Sequence, residues 1–178
     1  MSIAPGEHVG IRELARVVAR AIAVELVLFE VFGRWIPTTA DAAAKPVLAA
    51  ASRRHAWHAE MWRARFPLIP DADADDLVTG ERGRLVPFVD ALAAFDAMPS
   101  GPGRLALAEV AAAELALAYE ALRATIDPRL DAPTAGVLDT VLASLGATPP
   151  APGVLTDDER AALDAFRAAA PIPTLEVT

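Results

Sequence analysis

The stretch GIRELARVVARAIAVELVLFEVFGR, residues 10–34, decides the fold class. Within it Leu14, Val18, Ile22, Glu25, Phe29 and Phe32 recur at three- and four-residue steps, the spacing of one face of a helix. A strand would alternate with period two, and nothing here does. A first helix is therefore predicted from about Gly10 to Arg34, with Gly33 and then Pro37 stopping it. The apolar run Ala19–Phe32 inside it carries Arg20, Glu25 and Glu30, and is too short and too charged to be a membrane span.

The same period continues along the chain. Thr38, Thr39 and Asp41 are candidate caps for a second helix that runs through Lys45–Arg65 and places Ala51, His55, His58 and Trp62 on one face. A third long helix is predicted from about Arg104 to Ile126, after the break Pro99–Gly103. It has two apolar stripes: Leu107, Val110, Glu114, Leu117 and Ala121 on one side, Leu115, Tyr119, Leu122 and Ile126 on the other. Apolar residues on two sides suit a bundle interior. A fourth helix opens at Asp131, carries Val137, Leu138, Val141, Leu142 and Leu145, and ends at Gly146. Short extra helices are expected over about 85–98 and 156–170. The second opens on a Thr156–Glu159 capping box and packs back on the bundle through Leu155, Leu163 and Phe166. The stretch Asp71–Arg84, acidic and holding Gly80 and Gly83, reads as a surface loop, and Thr148–Gly153 as a linker. The expectation is one all-α domain over 1–178, a four-helix bundle with core about 10–146 and a C-terminal helix and tail over 154–178.

Composition narrows the function classes. With 54% hydrophobic and 22% charged residues the chain is not a disordered one. A net charge of −8 argues against nucleic acid and against an anionic membrane surface, both of which need Lys and Arg. The lack of cysteine excludes disulfides, iron–sulfur clusters, thiolate zinc sites and cysteine nucleophiles. Met1–Gly10 holds no basic region leading into an apolar core, so a cytoplasmic protein is expected. Gly101-Pro102-Gly103 follows no strand and is no phosphate cradle. Helices apolar on two sides suggest a homodimer, and a protein partner or small-molecule ligand fits the remaining space of functions.

Chemistry is sought where a polar residue interrupts an apolar stripe. Glu25 does so among Ala21, Ile22, Leu28 and Phe29. Glu114 does so among Val110, Ala111, Leu117 and Ala118. His55 and His58, three residues apart on a helix, point the same way and can share one ion. Each has a structural alternative. A buried Glu can be hydrogen-bonded to a Tyr or Trp across the bundle, and the histidines can be packing between Trp57 and Trp62. Glu30 and Arg34 read as a surface pair, Glu109, Glu120 and Arg53-Arg54 as solvated faces, and His8 as irrelevant.

The runs Leu28–Pro37 and Arg54–Trp62, with Ala118-Tyr119-Glu120 and Asp131-Ala132-Pro133, resemble a ferritin-like family of small bacterial bundle proteins over about Glu13 to Gly146. In ferritin-like di-iron proteins two helices each give a Glu and two others each give Glu-x-x-His. The resemblance implies Glu25 and Glu114 as the two lone carboxylates and His55-x-x-His58 as one altered pair. The fourth helix offers only Asp139 and no histidine. The implied centre is a degenerate di-metal site, with room for one iron, zinc or manganese ion. Three functions follow in order: a non-catalytic binding or assembly protein, a metal-dependent enzyme acting on a small molecule, and an iron-handling protein in which Asp139 and Glu120 complete a site across a dimer.

Overall fold

In a computed structural model, residues 10–70, 72–98, 100–147, 153–169 and 172–175 are described. They hold seven helices and no strand. The first, α1 (Ile11–Thr38), runs through Gly33 and Pro37 instead of stopping there. A Cβ on Gly33 would lie 3.3 Å from Ser52 Oγ, so this glycine serves a close helix–helix approach, not a terminus. Pro37 falls in the last turn, where its missing N–H gives up one ladder bond, to the Gly33 carbonyl. The end is closed at Thr39, whose N–H and hydroxyl both donate to the Trp35 carbonyl. Thr38 and Thr39 are thus not caps of the next helix.

That helix, α2 (Ala44–Arg65), follows Asp41, whose carboxylate accepts the Ala43 N–H. It lies antiparallel to α1: Ser52 Oγ donates to the Phe29 carbonyl, while His55 and His58 face Glu25 further back along α1. The expected loop before Arg84 is instead α3 (Ala74–Arg84). Asp73 caps it by accepting from the Asp75 and Asp76 N–H groups, and Asp75 and Asp76 sit in its first turn where negative charge is favoured. Val78 and Glu81 are its only buried residues, and Glu81 accepts from Arg20 at 2.8 Å and Arg84 at 3.1 Å. Ion pairing, Val78 and the half-buried Leu77 dock this helix, so no full apolar stripe announces it.

The next helix, α4 (Val86–Ala93), turns Phe88 and Leu92 inward and breaks into turns before the expected end at Met98. Helix α5 (Gly101–Thr125) begins inside the Pro-Gly break: Ser100 caps it by accepting the Gly103 N–H, and Pro102 is admissible in its first turn. A Cβ on Gly101 would meet Asp41 Cβ at 2.6 Å, so the starts of α2 and α5 touch. Helix α6 (Ala132–Gly146) is capped by Asp131. The last, α7 (Asp157–Ala169), opens on the expected capping box: Thr156 Oγ1 accepts the Glu159 N–H, and Glu159 accepts the Thr156 N–H. It packs back as expected, with Leu163 and Phe166 buried and the Phe166 ring 6.1 Å from that of Phe88.

Cross-contacts set the directions of the four long helices. Trp62 meets Tyr119 as Asp41 meets Gly101, so α2 and α5 run parallel. Arg123 meets Asp139, and Arg65 meets Asp131, so α6 runs against both. Residues α3 and α4 supply are the crossover that a parallel α2–α5 pair needs. Glu30 and Arg34 do not pair with each other; each reaches over this crossover, to Arg82 and Asp96. Arg104, expected only as the start of the third long helix, is 1% exposed and donates to the Trp35 carbonyl, Thr38 Oγ1, Thr39 Oγ1 and the Asp96 carbonyl. No helix of the described residues is long and apolar enough to cross a membrane. His8, residues 148–152 of the expected linker, and residues 170–171 and 176–178 lie outside the described residues.

Candidate metal centre

Glu25 sits three residues, roughly 60° around the helix, from each of its apolar neighbours Ile22 and Leu28, on the stripe that α1 buries, and it has no solvent exposure. A bare carboxylate there would be prohibitively costly, so donors must surround it. They come from two other helices. His55 Nδ1 is 2.6 Å from Glu25 Oε2 and His58 Nδ1 is 3.2 Å from Oε1, both from α2. Tyr119 of α5 donates its hydroxyl to Oε1 at 2.8 Å. A carboxylate only accepts, so the Nδ1 of each histidine carries the proton toward it. That leaves both Nε2 atoms as acceptors in the neutral rings. His58 Nε2 is met by Ser144 Oγ of α6 at 2.9 Å. His55 Nε2 is buried and meets no partner among the described residues.

An outer layer fixes these groups. Trp62 Nε1 donates to the Tyr119 oxygen at 3.0 Å, and the two rings stack at 5.6 Å. The Phe32 ring sets its edge against His55 at 5.4 Å, and Trp57 lies against His58 at 5.5 Å. Burial alone would raise the Glu25 carboxyl, but the His55 charge and the hydrogen bonds from both imidazoles outweigh it and hold it at about 2. Burial pushes His55 below its ordinary value, overcoming the pull of Glu25. Burial likewise raises the Tyr119 hydroxyl, and the Glu25 charge adds to this, so it stays protonated as a donor. At neutral pH the centre is one carboxylate facing a neutral His55.

Ligand atoms of Glu25, His55 and His58 lie within 4.8 Å of one another. Two imidazoles and one carboxylate are a donor set that suits zinc, iron or manganese. In a tetrahedral ion with bonds of about 2.0–2.1 Å the ligand atoms stand roughly 3.3 Å apart, so an ion would spread the 2.6 Å His55–Glu25 contact by less than an ångström. Entry of an ion displaces the Nδ1 protons. The residues fit one such ion, and Ser144 and Tyr119 then stand as outer partners.

Glu114 does not join them. It is half-buried on the other stripe of α5, in a groove of about 330 Å³ against α7 with Arg160, Leu163 and Arg167. At about 100° per residue, position 119 lies roughly 140° around the helix from 114. The stripe that faces Glu25 is therefore the one with Leu115, Tyr119 and Leu122, all buried, while Leu117 of the Glu114 stripe is 60% exposed. Asp139 is exposed and paired with Arg123 at 2.8 Å. The carboxylates for a second ion are thus not assembled among the described residues. Arg53 is exposed as expected, but Arg54 is half-buried, with Nε and an NH2 nitrogen partnerless.

Tyr119, Trp62 and Ser144 are the residues that sequence reasoning did not place in the centre. Tyr119 carried the same signal as Glu25, a polar atom in an apolar stripe, and a Tyr or Trp partner for a buried Glu was among the structural alternatives. Compared with protein-family models, curated proteins and solved structures, the chain matches none.

Proposed function

We propose that this is a non-catalytic helical binding or assembly protein of the ferritin-like kind, whose interior centre takes a single divalent ion at Glu25, His55 and His58 and uses it to hold helices together. The observation that carries this reading is the complete burial of all three ligands. A catalytic metal site keeps a position open to water or substrate, whereas a structural one is closed. Here Tyr119, Trp62, Phe32 and Ser144 pack the space around the triad. The ferritin-like reading is supported by the crossover that makes α2 and α5 parallel, a connection that ferritin-like bundles share. The missing second carboxylate set supports loss of di-iron chemistry.

The bound ion would supply charge compensation for Glu25 and cross-link α1 to α2. The chain's own residues do the rest. Glu25 orients both imidazoles, Ser144 fixes the ring of His58, and Tyr119 ties the carboxylate to α5.

The test is anaerobic loading with ferrous iron, then with zinc, followed by oxygen uptake and thermal melting. The reading predicts a higher melting temperature with either ion and no oxygen consumption beyond one equivalent per chain. Sustained oxygen uptake would overturn the non-catalytic reading and put the metal-dependent enzyme first.

A further inference from the structure

A cavity of about 680 Å³ lies away from the buried triad, where the start of α1, the end of α2, the end of α5 and the start of α6 meet. Its wall is more apolar than polar, with Ile11, Leu14, Phe66, Leu68, Ile126 and Leu130 among its lining. Three of these stand open at the rim, Ile11 at 57%, Leu130 at 64% and Leu68 at 96% exposure. Such a volume is in the range of small-molecule sites, about 300–1,000 Å³, and concave apolar walls with a few polar groups are their usual make-up. An apolar rim left in water is a cost that a bound apolar body removes.

The charges around it decide what body fits. Arg65 is turned away from service to a ligand: its guanidinium donates to both oxygens of Asp131 at 2.8 and 2.9 Å and to Thr134 Oγ1 at 2.6 Å. That pair is neutral as a unit. Asp127 also lines the cavity, and its carboxylate accepts the Arg129 N–H at 2.8 Å and forms no ion pair among the described residues. Two helix C-termini, those of α2 and α5, open on the same space and add negative potential. The two N-termini there are already countered: Asp131 caps α6, and Glu13 sits in the first turn of α1. The balance is one uncompensated carboxylate beside an apolar hollow.

We propose that this end cavity binds an amphipathic cation, an alkyl or aryl body carrying one ammonium group, with the body against Phe66, Ile126 and Leu130 and the ammonium beside Asp127. The site is independent of the buried triad.

Calorimetric titration below the micelle concentration tests it, with dodecyltrimethylammonium, dodecanol and dodecanoate as probes of equal tail length. The expected result is one cation bound per chain, with dodecanol weaker and dodecanoate weakest. Asp127→Asn keeps the acceptor for the Arg129 amide and removes only the charge, and should weaken the cation about tenfold without changing dodecanol binding. Leu130→Trp, at an exposed rim position that tolerates bulk, should block all three probes while the helical circular dichroism stays unchanged. Dodecanoate binding as tightly as the cation, or cation binding indifferent to both variants, would overturn the proposal.

Discussion

Glu25 and Arg104 are both buried charges, 0% and 1% exposed, and the molecule handles them in opposite ways. Arg104 gives its protons to groups that do not titrate: the Trp35 and Asp96 carbonyls and the hydroxyls of Thr38 and Thr39. It lies over the Trp35 ring at 5.4 Å and at the C-terminal end of α1, where a cation is favoured. Glu25 takes protons from two imidazoles and a phenol. Both centres join α1 to α5, but only one is made of groups that can exchange a proton for a metal ion. A buried charge satisfied by backbone and hydroxyls is a fastener; one satisfied by imidazoles is a fastener that solution conditions can change.

This contrast can be broken by experiment. The largest effect is expected from Arg104→Met, which strips partners from a carbonyl and two hydroxyls at the end of α1. Chemical denaturation should show a loss of about 4 kcal/mol, the scale of several buried acceptors left without their charged donor. The loss should be the same with and without zinc.

Next comes acid. Glu25 has a folded value near 2 against an ordinary 4.5, so its contribution is present above 4.5 and lost as pH falls from there through 2. His55 is also lowered, so the fold prefers its neutral form, and that contribution begins to fall below about 6.5. Both have the same sign. Urea midpoints at pH 7, 5 and 3 should fall steadily, with about 2 kcal/mol of the fall by pH 3 traceable to Glu25. Arg104→Met should keep this slope, and Glu25→Gln should flatten it below pH 4.5. An unaltered slope in Glu25→Gln would remove the distinction between the two centres.

At neutral pH Glu25→Gln itself should cost about 2 kcal/mol, because the amide keeps the shape but weakens charge-assisted bonds. The smallest effect is expected from Glu114→Ala, within about 0.5 kcal/mol and with no change in metal affinity, since Glu114 faces the α7 groove. A loss of metal affinity in that variant would restore it to the centre.

Helix periodicity made the all-α class and the four long helices legible, and the Thr156–Glu159 capping box was legible too, because apolar stripes and side-chain caps are local signals. It also made Glu25, His55 and His58 visible as polar breaks in buried stripes. Glu114 broke a stripe too, but α5 has two, and a sequence does not say which one faces α1. Helix α3 was hidden because charges and only two adjacent apolar residues, Leu77 and Val78, hold it in place. Arg104 was hidden because its partners, two main-chain carbonyls and the hydroxyls of Thr38 and Thr39, are distant in sequence or main-chain and leave no local periodic pattern. Gly33 read as a stop because the close approach of Ser52 is a tertiary fact.

The central claim is that Glu25, His55 and His58 together hold one ion. Its most direct test is the metal content, by elemental mass spectrometry, of protein purified without chelator and then equilibrated with zinc, iron or manganese, beside the His55→Ala/His58→Ala variant. The account predicts about one ion per chain in the parent protein and none retained by the variant. No ion in the parent after equilibration, or an equal amount in the variant, would contradict it.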